Sequence, residues 1–282
     1  MTTVRELVES TAAIVGDRNH ARWLVEVAVS ADPLDEVLDD EVTERMVAHL
    51  DVMVGRYRTG EPLQYVLGRW AFRHLDLFVD ERVLIPRPET EEVAGIAIEF
   101  ARAVDGERTV IDLGTGSGAI GLSLATELPL DGTSIWMTDV SSDALAVAQA
   151  NLAGIGRPAR NVTIIQSRWF DDVPQELQAD VIVSNPPYIA ANSEAVDRSV
   201  DQHEPAVALY SGVDGLDAIR EIIENAGNYL KSNGTLVLEI GFDQADAARR
   251  LLTQHGFIDI EIRQDVFGND RIAIGRWRSR AV

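Results

Sequence analysis

Two short stretches hold the residues best suited to chemistry. The first, Asp112-Leu113-Gly114-Thr115-Gly116-Ser117-Gly118, joins a β-rich run to a helical one. Glycines there let the backbone turn sharply and approach a ligand, and the helix that follows opens with free N–H groups. Gly116, Gly118 and Gly121 satisfy the dinucleotide spacing G-x-G-x-x-G, so spacing alone leaves a nicotinamide cofactor open. Asp112 bears on the choice. A carboxylate ahead of the turn opposes a pyrophosphate but suits a cationic amino-acid ligand, such as the sulfonium and ammonium groups of S-adenosyl-L-methionine. Asp139, at the next strand end, can accept from both ribose hydroxyls of any adenosine cofactor and does not discriminate.

The second stretch, Asn185-Pro186-Pro187-Tyr188, follows the apolar run Val181-Ile182-Val183. Two prolines fix φ and remove two N–H donors, leaving carbonyl acceptors beside the Asn side chain. A planar NH2 group has two hydrogens to place, and the Asn185 side-chain oxygen and the Pro186 carbonyl can receive them. Tyr188 can stack on a flat amide or base. An amide nitrogen is a poor nucleophile because its lone pair is delocalised. Holding it in line with an electrophilic methyl group supplies orientation, and acceptors aimed at its developing positive charge favour the transition state.

The elements that must position these stretches can be read from periodicity. Residues 1 to about 67 have helical spacing, with stripes at Val4, Leu7 and Val8, at Leu24, Val27 and Ala28, and from Val42 through Met46, Leu50 and Met53 to Tyr57. Asp32-Pro33 and Gly60-Glu61-Pro62 break the pattern. Leu75, Leu77 and Val79, then Val83 and Ile85, alternate about Asp80-Glu81-Arg82 and predict a β-hairpin. Helical spacing resumes from Glu89 to about Ala103. Strands are then expected at 109–113, 134–139, 162–166, 180–184, 235–240, 257–263 and 271–276. Helices are expected at 119–127, 142–152, 216–230 and 243–254, and Lys231 to Gly234 reads as a turn. Such alternation implies an α/β fold with a mainly parallel sheet covered on both faces.

Composition narrows the chemistry further. Of 282 residues, 46 are acidic and 25 basic, a net charge of −21, which opposes broad binding to a nucleic-acid backbone. The basic tail Arg276, Arg278 and Arg280 is read as solvated. Lys231 is the only lysine and cysteine is absent, which disfavours a P-loop, a Schiff-base lysine and a thiolate nucleophile. The five histidines show no metal-ligand spacing, so no metal site is expected. No apolar run is long enough for a membrane span, the first residues lack the apolar core of a signal peptide, and a cytoplasmic location is expected.

Asp112 to Gly118 together with Asn185 to Tyr188 resembles the methyltransferases that modify planar amino groups, on DNA bases and on protein glutamines. The rest of the chain is similar to the release-factor glutamine methyltransferase family (HemK/PrmC). Its markers are Pro62-Leu63-Gln64-Tyr65-Val66-Leu67-Gly68, Leu84-Ile85-Pro86-Arg87-Pro88-Glu89-Thr90-Glu91, His203-Glu204-Pro205, Gly212-Val213-Asp214-Gly215-Leu216 and Leu238-Glu239-Ile240-Gly241, in the family's order. Related ribosomal-protein glutamine methyltransferases typically have Ser where Pro88 stands.

The resemblance implies methyl transfer from S-adenosyl-L-methionine to the side-chain amide nitrogen (N5) of the glutamine in the Gly-Gly-Gln motif of peptide chain release factors. It implies a helical substrate-recognition domain over 1–67, a β-hairpin linker over 68–87 and a Rossmann-like, seven-stranded class I methyltransferase domain over 88–282. Gly114, Thr115, Gly116, Ser117, Gly118 and Asp139 would bind the cofactor, with Trp169 beside the adenine and Asn185 also on the cofactor side. Asn185, Pro186, Pro187 and Tyr188 would hold the glutamine, with Asn185, Pro186 and Tyr188 as the catalytic set. Arg168 stands where the family often has Asp, and Glu239 is read as structural. A DNA or RNA amino-methyltransferase would use the same Asn185 loop on a flipped base, but would suit neither the charge nor the lack of an inserted target-recognition segment. A non-catalytic docking module is opposed by the intact Asn185 loop, and a nicotinamide oxidoreductase by Asp112.

Overall fold

The computed structural model describes residues 2–31, 33–191, 193 and 198–278. Helices α1 (Val4–Val15), α2 (Arg18–Val29) and α3 (Glu44–Arg58), with the short α4 (Leu63–Leu67), make an N-terminal bundle. Its punctuation is local: Thr3, Asp17 and Thr43 accept from helix N–H groups as N-caps, and Gly16 closes α1 at φ 78°. Val4, Leu7, Leu24, Ala28, Leu50 and Met53 meet in one core, as the stripes predict. Of the expected break at Asp32-Pro33, Asp32 lies outside the described residues and Pro33 opens a 3-10 turn.

The hairpin lies one strand earlier than the alternation predicts. Strand β1 (Arg69–Phe72) pairs antiparallel with β2 (Leu75–Phe78), across a turn where Arg73 has φ 52°. Val83 and Ile85 are buried but belong to no strand. Their backbone bonds go outside any ladder: the Val83 N–H bonds the Asp80 carbonyl (3.1 Å), the Tyr65 hydroxyl donates to the Val83 carbonyl (2.5 Å) and Glu204 accepts from the Ile85 N–H (3.2 Å). Apolar alternation here reports burial without a ladder.

The sheet and its helices follow. Helix α5 (Pro88–Arg102) leads to β3 (Arg108–Leu113), α6 (Ala119–Glu127), β4 (Thr133–Asp139), α7 (Ser142–Gly154) and β5 (Val162–Gln166). Next come β6 (Ala179–Ser184), α8 (Arg198–His203), α9 (Ala206–Leu209) and α10 (Asp217–Ala226). Strand β7 (Leu230–Glu239), α11 (Ala245–Gln254), β8 (Phe257–Gln264) and β9 (Asp270–Trp277) complete it. The seven-stranded sheet runs β5-β4-β3-β6-β7-β9-β8, with β9 antiparallel to both neighbours. Val93, Ala97, Leu122 and Val147 of α5, α6 and α7 bury one face, together with Phe72 and Leu77 of the hairpin. Ile219, Ile222, Ile223 and Leu252 of α10 and α11 bury the other. Strand order reverses at β3, so a crevice opens between the carboxyl ends of β3 and β6, where ligands bind in open α/β sheets. Both singled-out loops start there.

Two expectations are corrected beyond the hairpin. Helix α10 ends at Ala226 rather than continuing to 230: the Asn228 and Tyr229 N–H groups bond the Asn225 and Ala226 carbonyls, each at 3.0 Å, in a turn that leads into β7. Lys231 to Gly234 forms no separate turn but an outward kink within β7, where the pairing skips from Ala179↔Leu230 to Val181↔Thr235 and Asn233 has φ 66°. In the basic tail, Arg276 lies 3.7 Å from Asp259, and Arg280 falls outside the described residues. Among the described residues no helix is long and apolar enough to cross a membrane, and no three His, Asp or Glu side chains are grouped as a metal site.

Candidate active site

The glycine loop is held by two carboxylates from below and beside. From the end of β3 the chain passes through Gly114, Gly116 and Gly118, all with positive φ, into α6. Gly114 has φ 67°, a conformation that favours glycine, and a Cβ there would stand 3.2 Å from the Trp169 ring, tighter than an ordinary contact. Asp139, at the end of neighbouring β4, accepts from the Gly116 N–H and the Ser141 N–H, each at 2.9 Å. Burial raises its carboxyl above the ordinary range, against those backbone hydrogen bonds.

Asp112 sits differently from its sequence reading. Its side chain is fully buried under the loop, where Oδ2 accepts from the Thr115 hydroxyl (2.5 Å) and the Gly121 N–H (2.9 Å). Burial, opposed by those two bonds, pushes its pKa up to about 7. Its first task is therefore to brace the turn. Gly121, the third glycine of the dinucleotide-like spacing, is a packing requirement: a Cβ there would come within 2.6 Å of Met137.

A cavity of about 420 Å³ lies over these elements, within the size range of small-ligand sites. Gly114, Gly116, Asp139, Trp169, Asn185 and Pro187 line it. Thr115, Ser117 and Gly118 do not: Thr115 bonds Asp112, the Ser117 carbonyl accepts from Asn151 (2.8 Å), and Gly118 packs on Leu122 and Met137. Trp169 has φ 49°, and its carbonyl accepts from Thr138 Oγ1 (3.2 Å) and Ser167 Oγ (3.3 Å). Arg168, the family departure, is bound to Glu221 of α10 at 2.7 Å, and both line the cavity.

The second loop leaves β6 with Asn185 facing the cavity. Asn185 Nδ2 donates inward to Thr90 Oγ1 at 3.0 Å, and Thr90 in turn donates to Glu239 Oε2 at 2.7 Å. Asn185 Oδ1 accepts from no described residue. Pro186 is buried, and Tyr188 turns away from the cavity, its hydroxyl donating to Glu239 Oε1 at 3.2 Å. Glu239 is 1% exposed, and burial moves its pKa up to about 7 despite Thr90, Arg271 and Tyr188. The Tyr188 carbonyl accepts from Gln244 Nε2 at 3.0 Å, and Gly215 presses so close to that carbonyl that a Cβ would reach 2.4 Å.

Sequence spacing missed a third contributor. Arg82, Val83 and Leu84, after the hairpin, line the cavity, as do Pro205, Val207, Ala208 and Tyr210 to Gly212. The two segments are tied by Arg87 and the buried Glu204 at 2.6 Å. The signal was present in the Leu84 to Glu91 and His203 to Pro205 markers, but no periodicity reveals that they meet.

A seven-stranded sheet with one reversed strand, a glycine loop after β3 and an acid at the end of β4 define a Rossmann-like class I methyltransferase, whose methyl donor is S-adenosyl-L-methionine. The site suits that donor: Asp139 reaches the cavity with lone pairs beyond those used by Gly116 and Ser141, and Val140, Ala144 and Trp169 add apolar walls. Comparison with known proteins is specific. Residues 7–68 match the PrmC N-terminal domain, and residues 99–203 match the methyltransferase small domain. The release factor glutamine methyltransferase of Pasteurella multocida is 38% identical over 84% of this chain and 83% of its own length. That of Neisseria gonorrhoeae is 39% identical over 86% and 85%. A methyltransferase from Pyrococcus furiosus shares the fold, with TM-score 0.54 at 17% identity over 80% of this chain and 98% of its own. The chain belongs to the release factor glutamine methyltransferase family.

Proposed function

We propose that this enzyme methylates N5 of the glutamine in the Gly-Gly-Gln motif of peptide chain release factors, in the cytoplasm where termination takes place. In this reading Gly114, Gly116, Asp139 and Trp169 hold the donor, braced by Asp112, Thr115, Ser117 and Gly118, while the bundle of residues 1–67 recognises the protein substrate and residues 68–87 link the two. The observation that carries it is the state of Asn185, a cavity-lining residue whose NH2 donates inward to Thr90 while Oδ1 accepts from no described residue. A free amide oxygen is an acceptor, so it can receive one hydrogen of an incoming NH2 group.

The bound donor supplies an electrophilic methyl group on a sulfonium. Asn185 Oδ1 and the Pro186 carbonyl take the two amide hydrogens and fix the nitrogen's direction. As the nitrogen becomes cationic these oxygens interact with it more strongly than before, which lowers the barrier. Both are neutral, weak bases, so the departing proton passes to solvent. The Tyr188 hydroxyl is committed to Glu239, which leaves the tyrosine to hold its loop.

Replacing Asn185 with Ala should cut single-turnover methylation by about 10²–10³, roughly 3–4 kcal/mol, as loss of one preorganised transition-state group does. S-adenosylhomocysteine affinity should fall much less. Asn185→Asp keeps an oxygen and should retain more activity than Ala. Transfer by Asn185→Ala at the wild-type rate would remove the acceptor site from this loop.

A further inference from the structure

We infer that Thr90, backed by Glu239, is the positioning residue that sets which end of the Asn185 amide faces the acceptor. This rests on the proposed role of Asn185, and it deepens it.

An asparagine side chain has nearly the same shape either way round, but the two orientations are chemical opposites. One presents an acceptor to an incoming NH2 group, and the other presents two more donors, which repel it. Something must choose. Thr90 is 4% exposed, on the first turn of α5, and its hydroxyl has a single hydrogen. That hydrogen goes to Glu239 Oε2 at 2.7 Å, because a carboxylate only accepts. Thr90 Oγ1 is then left as an acceptor, and the only matching group on Asn185 is Nδ2, at 3.0 Å. Oδ1 is forced to the cavity side.

Glu239 anchors the other end of the chain of bonds. Its second oxygen lies 3.2 Å from the Tyr188 hydroxyl, so when Glu239 is ionised both hydroxyls around it donate inward. Arg271 from β9 favours that charge, while Glu89 from α5 and burial oppose it, which places its titration near pH 7. Protonated, Glu239 could itself donate to Thr90, releasing the Thr90 hydrogen toward Asn185 and removing the choice. None of Thr90, Glu239 or Tyr188 lines the cavity. Their effect reaches the substrate through Asn185.

The test uses full-length protein at pH 8 with asparagine side chains labelled by ¹⁵N, the Asn185 NH2 signal being assigned by its loss in Asn185→Asp. Its exchange with water is compared in wild type, Thr90→Ser and Thr90→Val, alongside single-turnover methylation of a release factor and S-adenosylhomocysteine affinity. One Asn185 NH2 proton should be protected in wild type and Thr90→Ser and exposed in Thr90→Val. The methylation rate of Thr90→Val should fall about tenfold, the loss of one modest hydrogen bond, and Thr90→Ser should recover most of it. Cofactor affinity should stay within about threefold in both, since neither hydroxyl touches that site. An unprotected Asn185 NH2 in wild type overturns the assignment even if Thr90→Val fails to fold. So does unchanged protection or unchanged rate in Thr90→Val, or a Thr90→Ser as impaired as Val. If wild type transfers no methyl group to any release factor, the functional reading fails, while the exchange data still decide the amide orientation.

Discussion

Asp112 illustrates how one carboxylate serves structure before chemistry. Its ordinary pKa of 3.8 is raised to about 7 in the folded protein by burial. A folded-state pKa above the unfolded one means the native state holds the proton more tightly between those values. The associated stability is complete below about pH 4 and is lost as pH rises through about 7. Wild type should therefore lose melting temperature relative to Asp112→Asn as the cofactor-free proteins move from pH 5 to pH 8. A difference between the two that stays constant with pH would show that Asp112 does not titrate in this window. At this scale the sequence revealed the loop residues because they are contiguous. It also revealed Asn185, because two prolines narrow what the neighbouring side chain can do. It could not reveal the direction in which Asp112 points, since a strand-end side chain faces ligand or core according to the packing of Met137 and Gly121. The partners of Asn185 were hidden too. Thr90 is 95 residues from Asn185 and 149 from Glu239, distances at which no spacing rule operates.

At the scale of elements, the hairpin is more than a tether. Asn151 of α7 accepts from the Phe78 N–H (2.7 Å) and donates to the Phe78 carbonyl (3.0 Å) and the Ser117 carbonyl (2.8 Å). One buried amide thus joins β2 to the glycine loop. The hairpin turn is clamped as well, with Arg73 bound to Glu127 through two nitrogens at 2.6 and 2.8 Å. Asn151→Ala leaves three polar backbone groups short of a partner and should destabilise the fold by about 2–3 kcal/mol in denaturant titrations. It should also weaken S-adenosylhomocysteine binding, because the Ser117 turn loses its anchor. A variant with wild-type stability and affinity would mean that hairpin and loop are independent. A chain cut near residue 80 would lose Tyr65, Phe72, Leu77 and Val79 from the core beside α5 to α7, so the boundary for separating the bundle lies before the hairpin. Periodicity found six strands of the sheet to within a residue but began β7 at 235 rather than 230, because Lys231 to Gly234 interrupt its apolar run. It misplaced the hairpin because Val83 and Ile85 are both buried at the two-residue spacing of a strand, although neither joins a ladder. Helices α8 and α9 carry too few turns for a periodic signal.

Over the whole molecule, the sheet reverses its winding at β3, and that topological point gathers both loops although 67 residues separate Gly118 from Asn185. The fold class was legible from the βα alternation alone. The crevice follows from the strand order, which no local pattern records. A net charge of −21 opposes broad binding to nucleic-acid backbones at long range. The most direct measurement is to incubate the enzyme with methyl-labelled S-adenosyl-L-methionine and purified release factors, then locate the label by tandem mass spectrometry. The account predicts one methyl group on the side-chain nitrogen of the Gly-Gly-Gln glutamine, and none when that glutamine is replaced. Label on any other residue, on a ribosomal protein or nucleic acid in competition, or no transfer to any release factor would contradict it.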